Sequence, residues 1–169
     1  PLPQSDLLEV LVAFARSADA ELSGHAKQTL NAQDTAGLES SLRTEEVATS
    51  VLDYFAEQPG LPPGIYEAIL TNAKTAGPTF VNFAKRTPSG ELLERIAFNQ
   101  QLLIQTPELI EAIIANPNRT SEAERRASET KREFFEKERG AQQIANELRA
   151  QGKEAAAEFI EQSEIGQDF

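Results

Sequence analysis

The sequence predicts an all-α protein: a right-handed α-solenoid of about three helical repeats of 41–45 residues, followed by a charged C-terminal helical extension. Three observations lead there. Apolar residues recur at spacings of three and four nearly throughout, and strand-like alternation is absent over any useful length. One pattern returns at a fixed step: Val10-Leu11-x-x-Phe14-Ala15 recurs as Val51-Leu52-x-x-Phe55-Ala56 and as Leu92-Leu93-x-x-Ile96-Ala97, both steps being 41 residues. Each unit carries too little apolar surface to fold alone, so its neighbours must stack on it.

The elements follow in order. The first segment of each unit is expected at roughly 6–16, 45–57 and 89–98. In the first copy Leu7, Leu8, Leu11, Phe14 and Ala15 fall on one helical face. Glu45-Glu46 stands where a helix start would favour negative charge. The second segments are expected at roughly 19–31, 63–72 and 107–116. There Ile65-Tyr66-Glu67-Ala68-Ile69-Leu70-Thr71-Asn72 matches Leu109-Ile110-Glu111-Ala112-Ile113-Ile114-Ala115-Asn116, 44 residues later. Thr106-Pro107 reads as an N-cap followed by proline at the first helical position, where a missing N–H costs nothing. Asn31, Asn72 and Asn116 close these segments, where asparagine tolerates a left-handed conformation. The third segments are expected at roughly 35–42, 77–86 and 120–139, and Ser121 with Glu124 has capping-box spacing. In the middle one Phe80, Phe83 and Ala84 read as the core side, so Asn82, Lys85 and Arg86 face outward.

A unit of about 42 residues built of two or three short helices resembles the armadillo and HEAT repeats. Asn116-Pro117-Asn118-Arg119-Thr120, with a worn copy at 72–75, is similar to the bacterial leucine-rich-repeat-variant type. The resemblance covers about residues 6–139, and the Asp/Arg pair of HEAT units is not repeated in it. It implies a concave face that binds partners, lined by the third segments. Asn82, Lys85 and Arg86 would then begin a row that Arg125, Arg126 and Glu129 continue, gripping a peptide backbone and an acidic side chain; the alternative is an ordinary hydrated helix face. The alternative architecture is a compact helical bundle whose repeats are partly accidental.

The division expected is a helical-repeat domain over 1–119 and a charged helix with a helical tail over 120–169. In the tail Glu122–Arg126 and Glu133–Lys137 have favourable i,i+4 spacing, and Phe134-Phe135 is the last strong apolar anchor. Beyond it Ala141, Ile144, Leu148, Ala155 and Phe159 could share one narrow face, with Gly140 and Gly152 as bends or stops. Three roles compete: a polar cap on the stack, an interaction helix that could pair two copies of the chain through Ile144, Leu148 and Phe159, or a partly ordered tail ending at Ile165-Gly166-Gln167-Asp168-Phe169.

Composition excludes more than it selects. Cysteine is absent from the 169 residues and histidine occurs once, which removes disulfides, thiolate metal sites, a cysteine nucleophile and any site of two imidazoles. His25 alone reads as a surface helical residue. Glu67 and Glu111 repeat one position of successive units and read as a solvated ladder. The glycines are isolated, so no phosphate loop is formed. No catalytic residue, cofactor or metal site is assigned. The net charge of −11 disfavours nucleic acid, which needs clustered Lys and Arg. No apolar stretch approaches the roughly 20 residues of a membrane span, and the default location is cytoplasmic. A chain that starts at Pro1 and lacks methionine reads as a fragment.

The function expected is therefore a non-enzymatic module that binds another protein or peptide. The rivals are an enzyme on a HEAT-like scaffold, of lyase or glycosylase type and dependent on carboxylates, and a structural segment of a larger chain.

Overall fold

A computed structural model describes residues 2–165, apart from the side chains of 137–139 and 163–165. The described chain is all-helical and divides into two compact units, the first ending at Pro88 and the second beginning at Ser89.

The first unit holds α1 (Gln4–Ala15), α2 (Ala20–Asn31), α3 (Thr35–Leu42), α4 (Thr49–Glu57), α5 (Pro63–Thr71) and α6 (Gly77–Arg86). Local chemistry sets their starts. The Asp19 carboxylate accepts from the N–H groups of Glu21 and Leu22, and Asp34 accepts from Gly37 N–H at 3.0 Å. Helices α5 and α6 carry proline in their first turn, where the missing donor is unneeded. Helix α1 packs on α2 and α4, α3 packs on α5, and α4 packs on both α5 and α6. The core runs from Leu8, Val12 and Ala15 through Leu30 and Leu42 to Val51, Leu52, Phe55, Ile65 and Ile69.

Two expectations change here. The buried stripe of α1 is Leu8, Val12 and Ala15, while Leu7 and Phe14 are exposed. Helix α4 starts at Thr49, so Glu45-Glu46 lies in the preceding turn and not at a helix start. That turn is tied down from α5's far end. Lys74 Nζ donates to the carbonyls of Glu45 and Val47, at 3.1 and 2.6 Å.

The asparagines close their helices by another route than the one expected. Asn72 and Asn116 have φ of −77° and −72° with extended ψ, and among the described residues no non-glycine has positive φ. Each instead bends the chain with its own side chain. Asn72 Oδ1 accepts from Lys74 N–H at 2.9 Å, and Asn116 Oδ1 accepts from Asn118 N–H at 2.8 Å. Asn72 Nδ2 also donates to the carbonyls of Leu42 and Thr44, at 2.7 and 3.0 Å. It thereby satisfies acceptors that the end of α3 leaves open. Asn31 is the last residue of α2 and is exposed.

The second unit holds α7 (Gly90–Phe98), α8 (Gln100–Gln105), α9 (Glu108–Ala115), α10 (Ser121–Lys131), a π-helical turn (Arg132–Glu136), α11 (Lys137–Ala150) and α12 (Glu154–Ile165). Helix α10 packs on α7 and α9, so the boundary expected at 119/120 falls inside this unit. Helix α8 was not anticipated. Pro107, not Thr106, stands at the N-cap of α9. Thr120 caps α10 by accepting from Ala123 N–H at 3.1 Å, which makes Ser121 the first helical residue and leaves Glu124 to pair with Arg119 at 3.0 Å. The Ser121–Glu124 capping box therefore does not form. Phe134 and Phe135 fall in the π turn, half-buried, and are not the core anchors expected. The Glu133–Lys137 pair lies outside the described side chains.

Gly140 is inside α11 and stops nothing, whereas Gly152 ends it at φ 76°. Lys153 N–H donates to Leu148 carbonyl and Gly152 N–H to Arg149 carbonyl, both at 2.9 Å, a closure that suits glycine. Helices α11 and α12 then fold together as a hairpin. Its buried residues are Ala141, Ala145 and Ala157; Ala155 and Phe159 are exposed, so the single apolar face expected is split. Arg149 bridges the two helices, reaching both Glu161 oxygens at 2.7 Å. The tail from 166 onward lies outside the described residues.

Candidate functional site

Helix α6 places its side chains by helical period. Thr79, Phe80, Phe83 and Ala84 are buried, and Asn82, Lys85 and Arg86 are exposed. Its neighbour α4 buries Val51, Leu52, Tyr54 and Phe55. Asp53 and Glu57 are left along the edge that faces α6. Between the two helices lies a cleft of about 110 Å³, lined by Asp53, Ala56, Glu57, Pro78, Thr79, Asn82, Phe83 and Arg86.

The cleft is built, not incidental to loop geometry. Thr79 Oγ1 donates to Asp53 Oδ1, which fixes that carboxylate and joins the two walls. The Phe83 ring is held by Tyr66, whose ring centroid is 5.2 Å away. The Tyr66 hydroxyl in turn donates to Gln58 carbonyl and accepts from Leu61 N–H, locking the chain that leaves α4. Acidic groups thus line one wall, and an amide with a guanidinium lines the other. Among the described residues no carboxylate forms an ion pair with Lys85 or Arg86. Their charges are open to a ligand.

Asn82 and Arg86 are therefore brought together, while Lys85 stands beside the cleft on the same helix. Asp53 and Glu57 were missed. The available signal was a like-charge i,i+4 pair on α4, which an isolated helix disfavours by about 0.2–0.5 kcal/mol.

Arg125 and Arg126 occupy a different setting on α10. Arg125 reaches Glu122 at 2.6 Å and Glu129 at 2.7 Å, and Arg126 reaches Glu122 at 2.9 Å. Arg126 also lies 4.0 Å from the centroid of the Phe98 ring. Hydrogen bonds from Arg125, then Arg126, hold the Glu122 carboxyl down to about 2, and Glu122 with Glu129 raises Arg125. Both arginines already have carboxylate partners, whereas among the described residues Lys85 and Arg86 have none.

Ile144 on α11 and Phe159 on α12 are exposed and Leu148 is half-buried. His25 is exposed on α2. Glu111 pairs with Lys131 of α10 at 2.6 Å and remains exposed, in keeping with a solvated position. Among the described residues no three of His, Cys, Asp and Glu are grouped to hold a metal ion, and no helix is long and apolar enough to cross a membrane.

No family model matches the chain, and no curated protein or solved structure is significantly similar to it.

Proposed function

We propose that this chain is a non-catalytic interaction module of the armadillo/HEAT-like repeat type, an α-solenoid that binds another protein or peptide through the outward face of α6 and its cleft with α4. The observation that carries the reading is the cleft, which joins Asn82 and Arg86 to Asp53 and Glu57 over a Phe83 floor. The Asn82 amide offers a donor and an acceptor to a peptide backbone. Arg86 offers a fork for a carboxylate, and Lys85 adds a point charge next to it. The stiff floor lowers the cost of ordering the site on binding.

The solenoid part of the reading is supported by the 41-residue recurrence and by the matching turns at Asn72 and Asn116, 44 positions apart. Panning displayed 12-residue peptides on the full chain tests the site. Enriched sequences should be acidic, and the double variant Lys85→Glu/Arg86→Glu should bind them at least tenfold more weakly. Equal binding by that variant, or no enrichment at all, removes the α6 face as the site.

A further inference from the structure

The cleft between α4 and α6 carries both signs of charge and pairs neither across it. Asp53 and Glu57 stand one helical turn apart on α4, and Arg86 lines the α6 wall. Among the described residues no carboxylate forms an ion pair with Arg86, and no Lys or Arg forms one with Asp53 or Glu57. Carboxylates at i,i+4 repel each other, and Asp53 is half-buried, so water screens it less than a surface group. Its Oδ1 accepts from Thr79, while Oδ2 has no donor among the described residues. A cation is the group that this wall lacks.

Size and lining say what form the ligand takes. The cleft holds about 110 Å³, room for several waters at roughly 15 Å³ each and far below the roughly 300–1,000 Å³ of a site for a whole organic ligand. It suits the ends of side chains. Ala56, Pro78 and the Phe83 ring give it an apolar part, on which the methylenes of a long basic side chain can lie while the head reaches the carboxylates. A purely acidic ligand would bring more negative charge to a lining that already sets two carboxylates against one guanidinium. A purely basic one would confront Arg86 and, beside the cleft, Lys85. A ligand bearing both signs answers both walls.

We infer that the cleft recognises a peptide segment in which a basic residue lies within three positions of an acidic one. The basic side chain lies over Phe83 with its head on Asp53 and Glu57, and the carboxylate takes Arg86. Packed helices stand about 8–10 Å apart and an extended chain advances about 3.3 Å per residue, so one to three steps carry the ligand from wall to wall. The exposed Asn82 amide meets the backbone between the two side chains. The inference rests on the reading of the α6 face as a peptide site and adds the second charge to it.

The probes are capped 12-residue peptides of Gly and Ser carrying one Arg and one Glu, in either order, one, two or three positions apart. Controls carry two Glu or two Arg at the same positions. Each is titrated to millimolar concentration into the isotope-labelled full chain. The best mixed peptide should shift amides of α4 and α6 and bind at least tenfold more tightly than any single-sign control. Asp53→Asn/Glu57→Gln keeps an acceptor for Thr79 and should bind that peptide at least tenfold more weakly. In that variant, replacing the peptide's Arg by Gln should cost less than twofold. Glu57→Gln alone, at an exposed position, should weaken binding about threefold and carries the test should circular dichroism show the double variant unfolded. A single-sign control that binds as tightly as the best mixed peptide would overturn the inference; if that control is the two-Glu peptide and Lys85→Glu/Arg86→Glu abolishes its binding, the α6 face stands as an acidic-peptide site. Undiminished binding of the mixed peptide by the folded Asp53 and Glu57 variants would overturn the inference as well. Binding by none of these peptides would also overturn it, and the α6 face would then stand or fall by the panned peptides.

Discussion

The segment from α4 to α6 and the hairpin of α11 and α12 are built from helices of similar type, yet they are held by opposite means. In the first, Val51, Leu52, Phe55, Ile65, Ile69, Phe80 and Phe83 are all buried. Side chains of Asn72, Lys74, Thr75 and Tyr66 bind backbone carbonyls across its turns. In the second, the buried residues are alanines and the cross-link is an arginine between two glutamates. Large side chains fix one geometry, because each must fill a space of its own shape. Small ones allow close approach but specify little. The rigid cleft belongs to the first region for that reason.

The sharpest way to break the contrast is Phe55→Ala. Phe55 is buried and meets Tyr54 edge-on at 5.2 Å between ring centroids. Truncation should cost about 3–5 kcal/mol from lost transfer and the cavity left behind. Denaturant unfolding of the first unit, followed by amide signals of α4 and α5, should shift accordingly. Signals of Ala145 and Ala157 in the hairpin report the comparison. Equal loss in both regions would mean that they unfold as one and that the contrast in packing has no energetic consequence.

Much of this contrast was legible in the residues. Helices α3 and α6 occupy the spans their periodicity predicts, and the inward Phe80, Phe83 and Ala84 with the outward Asn82, Lys85 and Arg86 follow from a period of 3.6. The failures share a cause. Leu7 and Phe14 belong to an apolar stripe wider than the buried one, and periodicity shows which residues could be covered, not which have a cover. The reach of Asn72 to Leu42 and Thr44 spans 30 and 28 positions, so no local signal announces it. Asp53 and Glu57 become part of a cleft only once α4 lies against α6. Helix α8, at six residues, is too short to display a period.

Asn72→Ala tests that long reach. The change leaves the carbonyls of Leu42 and Thr44 without this donor and removes the turn-closing acceptor of Lys74 N–H. A loss of about 2 kcal/mol is expected, as for buried hydrogen bonds whose partners stay unsatisfied. It should be smaller than that of Phe55→Ala and confined to the first unit. Faster hydrogen exchange at Lys74 N–H would place the loss at this turn. Unchanged stability would show that water replaces the amide, and that packing alone distinguishes the two regions.

The smallest effect belongs to the hairpin and depends on acid. Hydrogen bonding from Arg149 holds the Glu161 carboxyl below the ordinary carboxylate range. A carboxyl lowered in the folded state binds its proton less readily there than in the unfolded chain. Its contribution is therefore complete above the ordinary carboxylate range and is lost as pH falls through the folded value. The hairpin should accordingly loosen in acid before the first unit does, with hydrogen exchange at Ala157 and Ala145 rising first. Glu161→Gln should remove most of that dependence, because a neutral amide keeps an acceptor for Arg149 but has no proton to gain. Solvent still reaches this half-buried pair, and added salt should shrink the difference between wild type and variant. A hairpin that keeps its full acid sensitivity in the variant would assign its stability to the alanine interface alone, and the two regions would then differ in the size of their buried side chains and in nothing else.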